Sequence, residues 1–103
     1  MIAMTFANVA TLDAAPGRRD DLVALLTRPS DALEALGCLA YEVGVNAEEP
    51  DTVFVLELWT SAEAHRASLQ RPEVRDSIAA ARPLLSGGSG GLRFDVVGSP
   101  LRE

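Results

Sequence analysis

The stretch Thr52–Trp59, Thr-Val-Phe-Val-Leu-Glu-Leu-Trp, constrains the fold of this chain more than any other. β-Branched and aromatic residues fit a pleated strand, and the alternation sets Val53, Val55, Glu57 and Trp59 against Phe54, Leu56 and Leu58. Both faces are apolar, so the strand belongs in a sheet that is covered on two sides. A layer of helices covers one side, and something else must cover the other.

Cys38–Val45 also alternates, with Leu39, Tyr41, Val43 and Val45 opposite Cys38, Ala40, Glu42 and Gly44. The polar turn from Asn46 to Asp51 joins it to Thr52–Trp59 as a β-hairpin. Met4–Leu12 and Leu92–Val97 show the same period, and helical signals lie between. Leu22, Val23, Leu25 and Leu26 form an apolar stripe in Arg18–Thr27, which Pro29 stops. Ser30 or Asp31 can cap a short helix closed by Gly37. Thr60 and Glu63 have capping-box spacing for a helix to about Leu69. Pro72 suits the first turn of another, with Val74, Ile78, Ala81 and Leu85 along one side. Ser-Gly-Gly-Ser-Gly-Gly, residues 86–91, reads as a flexible loop, and the tail after Gly98 as frayed.

This order predicts an α+β fold over residues 1–103, a single domain. It is the ferredoxin-like βαββαβ arrangement, a four-stranded antiparallel sheet with helices on one face. A second copy of the chain is the simplest cover for the other face, which predicts a homodimer packed sheet to sheet.

Charge narrows the partners. The net charge is −6, and all nine basic residues are Arg. An acidic chain without a basic run repels phosphate backbones, which argues against nucleic acid. No apolar run approaches the length that crosses a bilayer, so a membrane is not expected either. The opening Met-Ile-Ala-Met-Thr-Phe lacks a basic leader, and one cysteine permits no intrachain disulfide, so the expected location is cytoplasmic. A single His and a single Cys make no metal cage.

Several segments carry a family resemblance. They are Pro16-Gly17-Arg18-Arg19-Asp20 before a helix, Pro29-Ser30-Asp31, and Gly37-Cys38-Leu39-Ala40-Tyr41-Glu42-Val43. Val53-Phe54-Val55-Leu56-Glu57-Leu58-Trp59 is followed by Ser61-Ala62-Glu63-Ala64-His65-Arg66, with Pro72-Glu73-Val74 and Pro83-Leu84-Leu85 beyond. From about Thr5 to Val97 the chain resembles the antibiotic biosynthesis monooxygenase family. The resemblance implies a ferredoxin-like fold, a tight homodimer often with strand exchange, and a pocket between sheet and helices in each subunit. In some members it implies oxidation of polycyclic phenols or anthrones to quinones by dioxygen, without flavin, haem or metal. The expected partners are therefore a small aromatic substrate and dioxygen, and no cofactor.

Such chemistry needs a site that holds a flat substrate, favours its anion and excludes water. His65 is the natural proton acceptor, because its ordinary pKa lies near neutrality. Trp59 ends its strand where an indole can wall a pocket and donate its N–H, and the resemblance places an equivalent Trp in the site. Asn8 is polar on a face otherwise holding Met4, Phe6, Ala10 and Leu12. Tyr41, Phe54 and Leu69 are the expected walls. Glu57 reads as structural, paired to one of Arg66, Arg75, Arg82 or Arg93, and Cys38 as a small buried hydrophobe. Haem-degrading relatives carry their iron-binding His ten residues beyond the Trp, where this chain has Leu69, with His65 one turn earlier. Anthrone-oxidising relatives carry an Asn four residues before the Trp and a Tyr six after, where this chain has Val55 and His65. The alternatives are a non-catalytic dimeric binding module and, behind it, a haem-degrading enzyme.

Overall fold

The computed structural model describes residues 4–102; the expectation about a leader therefore falls partly outside the described residues. The elements are β1 (Phe6–Ala14), α1 (Arg19–Leu26), α2 (Asp31–Ala35), β2 (Cys38–Gly44), β3 (Thr52–Trp59), α3 (Ala62–Ser68), α4 (Pro72–Ala81) and β4 (Leu85–Asp95). All strand pairs are antiparallel, in the spatial order β2-β3-β1-β4. This is the ferredoxin-like α+β fold, with an open sheet. Among the described residues no helix is long and apolar enough to cross a membrane.

The register assigns the faces. Phe6, Asn8, Ala10 and Leu12 of β1 stand opposite Trp59, Glu57, Val55 and Val53 of β3, all on the helix side. Leu22 of α1, Ala81 of α4 and Leu84 pack there on Ala14, Val53 and Val55, and Leu22 and Val53 are fully buried. On the other face Ala7, Val9, Phe54, Leu56, Leu58, Leu92 and Phe94 line up. Leu56, Leu92 and Phe94 stay about half exposed on the single chain, at 48%, 60% and 47%.

Four local expectations need correction. Residues 86–91 are not a loop. They belong to β4, an eleven-residue strand, where Ser89, Gly90 and Gly91 pair with Leu12, Thr11 and Ala10. Glycine is used here for closeness: Gly91 has φ +136°, and a Cβ on it would run into the Val9 carbonyl oxygen. Pro83 ends α4 at Ala81, a 3₁₀ turn covers Arg82–Leu84, and Leu85 opens β4 opposite Ala14 instead of extending the helix. In β2 a bulge at Leu39 shifts the register, so Cys38 pairs with Trp59 and Tyr41 with Glu57. Finally, Ser61, not Thr60, caps α3, its Oγ accepting from the Ala64 N–H at 3.0 Å.

Candidate functional site

One row of residues crosses the whole sheet on its helix side: Tyr41, Glu57, Asn8 and Arg93, from β2, β3, β1 and β4. The next row toward the strand ends holds Cys38, Trp59, Phe6 and Asp95. Above them sits α3. The Ser61 cap starts the helix so that His65 lies one turn in, its N–H on the Ser61 carbonyl, while Ser68 Oγ donates to the His65 carbonyl at 2.6 Å. The imidazole is buried between Phe6, with ring centroids 5.4 Å apart, and the edge-on indole of Trp59 at 5.3 Å.

Glu57 is the hub. Its side chain is 12% exposed, and its Oε2 accepts from Asn8 Nδ2 at 2.6 Å while Oε1 accepts from Trp59 Nε1 at 3.0 Å. His65 Nε2 stands 3.9 Å from the same Oε1. Arg93 Nε donates to Asn8 Oδ1 at 3.4 Å, so the amide is held by a cation on its oxygen and an anion on its nitrogen. The expected Arg partner of Glu57 is not there. Among the described residues no guanidinium lies within 4 Å of it, and two neutral donors take that place.

These surroundings set the protonation states. Burial lowers the pKa of His65, Glu57 pulls it back up, and Arg93 and Arg66 lower it further. The ring is therefore uncharged at neutral pH, with a carboxylate at hand for the charged form. Burial, then Glu57 and Cys38, push the Tyr41 phenol up to about 12, so it remains a donor. Burial and Glu57 also raise Cys38, whose thiol is directed to the Ala40 carbonyl at 3.4 Å.

Thus the structure brings Asn8, Trp59 and His65 together and sets Tyr41 in the same row. Phe54 does not join them: it lies on the opposite face, paired with Thr11 and Gly44. Leu69 caps the end of α3 at 39% exposure and is not one of the residues lining either opening described below. Glu57 is the residue that sequence reasoning undervalued. The available signal was a charge on the covered face of a central strand, two residues from Trp59.

Two openings flank the cluster. A trough of about 520 Å³ runs over β1 and β4, lined on the helix side by Asn8, Ala10, Leu12, Ser89, Gly91 and Arg93. A groove of about 740 Å³ lies between β2 and α2, with Cys38, Tyr41 and Thr60 in its wall.

Comparison with known proteins points one way. The sequence pattern of the family described as antibiotic biosynthesis monooxygenase matches residues 5–80. A Chloroflexus aurantiacus J-10-fl protein carrying that family's name is 34% identical, superposes with a TM-score of 0.78, and spans 92% of this chain and 95% of its own. A Caulobacter crescentus CB15 protein of the same designation has a TM-score of 0.82 at 23% identity, covering 94% and 93%. One from Deinococcus radiodurans reaches 0.77 at 24%, covering 93% and 95%. The last two speak for the fold alone. No curated protein matches the chain.

Proposed function

The chain belongs to the antibiotic biosynthesis monooxygenase family, and from that premise we propose that it oxidises a small phenolic, quinol or anthrone-type aromatic with dioxygen, without a cofactor. With an anthrone a ring CH₂ becomes a carbonyl: one oxygen atom enters the product, and the other leaves as water with the two hydrogens of that carbon. With a phenol or quinol a ring CH is oxygenated instead, and the water carries away two hydrogens of the substrate. The substrate first loses a proton, and its electron-rich anion then reduces dioxygen. The observation that carries the reading is the buried Glu57–Asn8–Trp59–His65 cluster beside an open trough. A base has to be neutral before the proton arrives and stabilised afterwards; burial supplies the first condition for His65 and Glu57 the second. Trp59 and Phe6 exclude water from the proton transfer, and Asn8 and Tyr41 orient the ring.

Oxygen uptake by chelator-treated protein, offered a panel of hydroquinones and hydroxyanthrones, tests this. Uptake above autoxidation that falls in His65→Ala and Trp59→Phe is the expected result. Turnover unchanged in both variants would overturn the mechanism. The exposed outer face supports the homodimer proposed with it; a single monomeric species at micromolar concentration in sedimentation would refute that part.

The second reading, a non-catalytic binding module, draws on one observation: the Trp59 N–H and one N–H of the Asn8 amide are already taken by Glu57, so these two donors are satisfied without a ligand. Tight binding of panel compounds with no product would favour it. Haem fits poorly, since the position ten residues beyond Trp59 is Leu69, which has no atom to ligate iron.

A further inference from the structure

The trough over β1 and β4 has an unusual composition for a ligand site. Part of its floor is backbone, because Ala10 and Gly91 present almost no side chain, with Asn8, Leu12 and Ser89 beside them. A flat ring can approach such a floor more closely than it could a row of branched residues. Of the residues lining the trough, Arg93 alone carries a charge. Among the described residues no carboxylate lies within 4 Å of it, and its one hydrogen bond is the long contact from Nε to Asn8. The two terminal nitrogens of the guanidinium are left to other partners, in a chain with fifteen acidic residues to supply them. Behind Asn8 the charge reverses, and Glu57 sits inside.

We infer that Arg93 and the glycine floor of β4 form the subsite for an ionised oxygen of a planar aromatic ligand, a phenolate, enolate or carboxylate. The inference rests on the reading that an aromatic substrate enters on the helix side of the sheet. It adds an orientation. The charged oxygen lies outward on Arg93, through charge-assisted hydrogen bonds to the terminal nitrogens. The opposite edge of the ring points inward to His65 and Glu57, where the proton is to be removed. A ligand placed the other way round would set its anion against the Glu57 carboxylate. Asn8 separates the two charges and keeps Arg93 from collapsing onto Glu57, which would neutralise both.

Binding tests this without requiring turnover. 2-Naphthoate and 2-naphthamide share shape and differ in charge, and both are titrated into the intact protein while its backbone amide resonances are followed. The expected result is naphthoate bound at least roughly tenfold more tightly than the amide. The shifts should centre on Ser89–Arg93, and the preference should weaken with salt. Arg93→Gln should abolish the preference while retaining the wild-type pattern of resonances elsewhere, and Arg93→Lys should restore part of it. Equal affinity for both probes, a preference that survives Arg93→Gln, shifts centred elsewhere, or no binding of either would each overturn the subsite. Loss of the preference in Arg93→Gln, combined with no oxygen uptake on any substrate, would leave the subsite standing and remove the oxygenase reading.

Discussion

Two ends of the same sheet face were built from the same strands and came out differently. Toward one end β3 presents Val53 and Val55, β1 presents Leu12 and Ala10, and Leu22, Ala81 and Leu84 close over them. Two residues further along, the same strands present Glu57, Trp59, Asn8 and Phe6, and His65 closes over those. The first end needs only shape, since carbon satisfies carbon at any angle. The second buries a carboxylate, an amide, an indole N–H and an imidazole, each of which would be costly alone and is tolerated because the others answer it. The first end holds the fold, and the second uses the rigidity that the first provides.

That contrast can be broken from either side. Leu22→Ala should have the largest effect, lowering unfolding free energy by about 2–5 kcal/mol in chemical denaturation while leaving turnover per folded molecule unchanged. Glu57→Gln should do the reverse. It removes the charge that stabilises protonated His65, so oxygen uptake should fall by roughly 100-fold. Its stability cost should stay at about 1–3 kcal/mol, from one donor left without an acceptor. If Glu57→Gln unfolds the protein as readily as Leu22→Ala does, the two ends are one core and the contrast fails.

The pH dependence has a fixed sign. Because His65 is held below its usual pKa of about 6.5, the unfolded chain binds the extra proton first as pH drops. Stability should therefore be flat with respect to this group above that pH. It should decline below it, by at most about 1.4 kcal/mol per pH unit, until the folded pKa is passed. His65→Gln should remove the decline. The chain has one His, so a single imidazole resonance reports its titration directly, with an expected midpoint below that of a model peptide. The smallest effect belongs to Tyr41→Phe, at the junction of the two ends. Its hydroxyl has no hydrogen-bond partner among the described residues, so stability should move by no more than about 0.5 kcal/mol. A marked rise in KM would assign the tyrosine to the site, and unchanged kinetics would assign it to the core.

Legibility in the sequence followed the same division. Thr52–Trp59 and the Pro72 helix start were readable because periodicity and turn chemistry are local. The end of β4 from Leu92 was readable by its alternation, but its first part, residues 85–91, was hidden because glycine carries no period; the reason for that part lies in the backbone of β1, far away in the chain. Asn8, Trp59 and His65 stood out as chemically capable groups on suitable elements, but the residue joining them did not. Glu57 looked like one end of a salt bridge, since pattern gives the face of a side chain and not its partner. Phe54 illustrates the same limit: alternation placed it opposite Glu57, and only the register shows which of those faces the helices cover.

The bulge at Leu39 has a consequence beyond re-aiming Tyr41. An open sheet has two free margins, here β2 and β4, and each offers a template on which a foreign strand could grow. On β2 the ladder is interrupted beside Cys38, the regular run beyond it is short, and Glu42 stands exposed within that run. An incoming strand therefore meets a broken row of donors and acceptors and a negative charge. Growth along that margin, which would have no natural stopping point, is thereby discouraged.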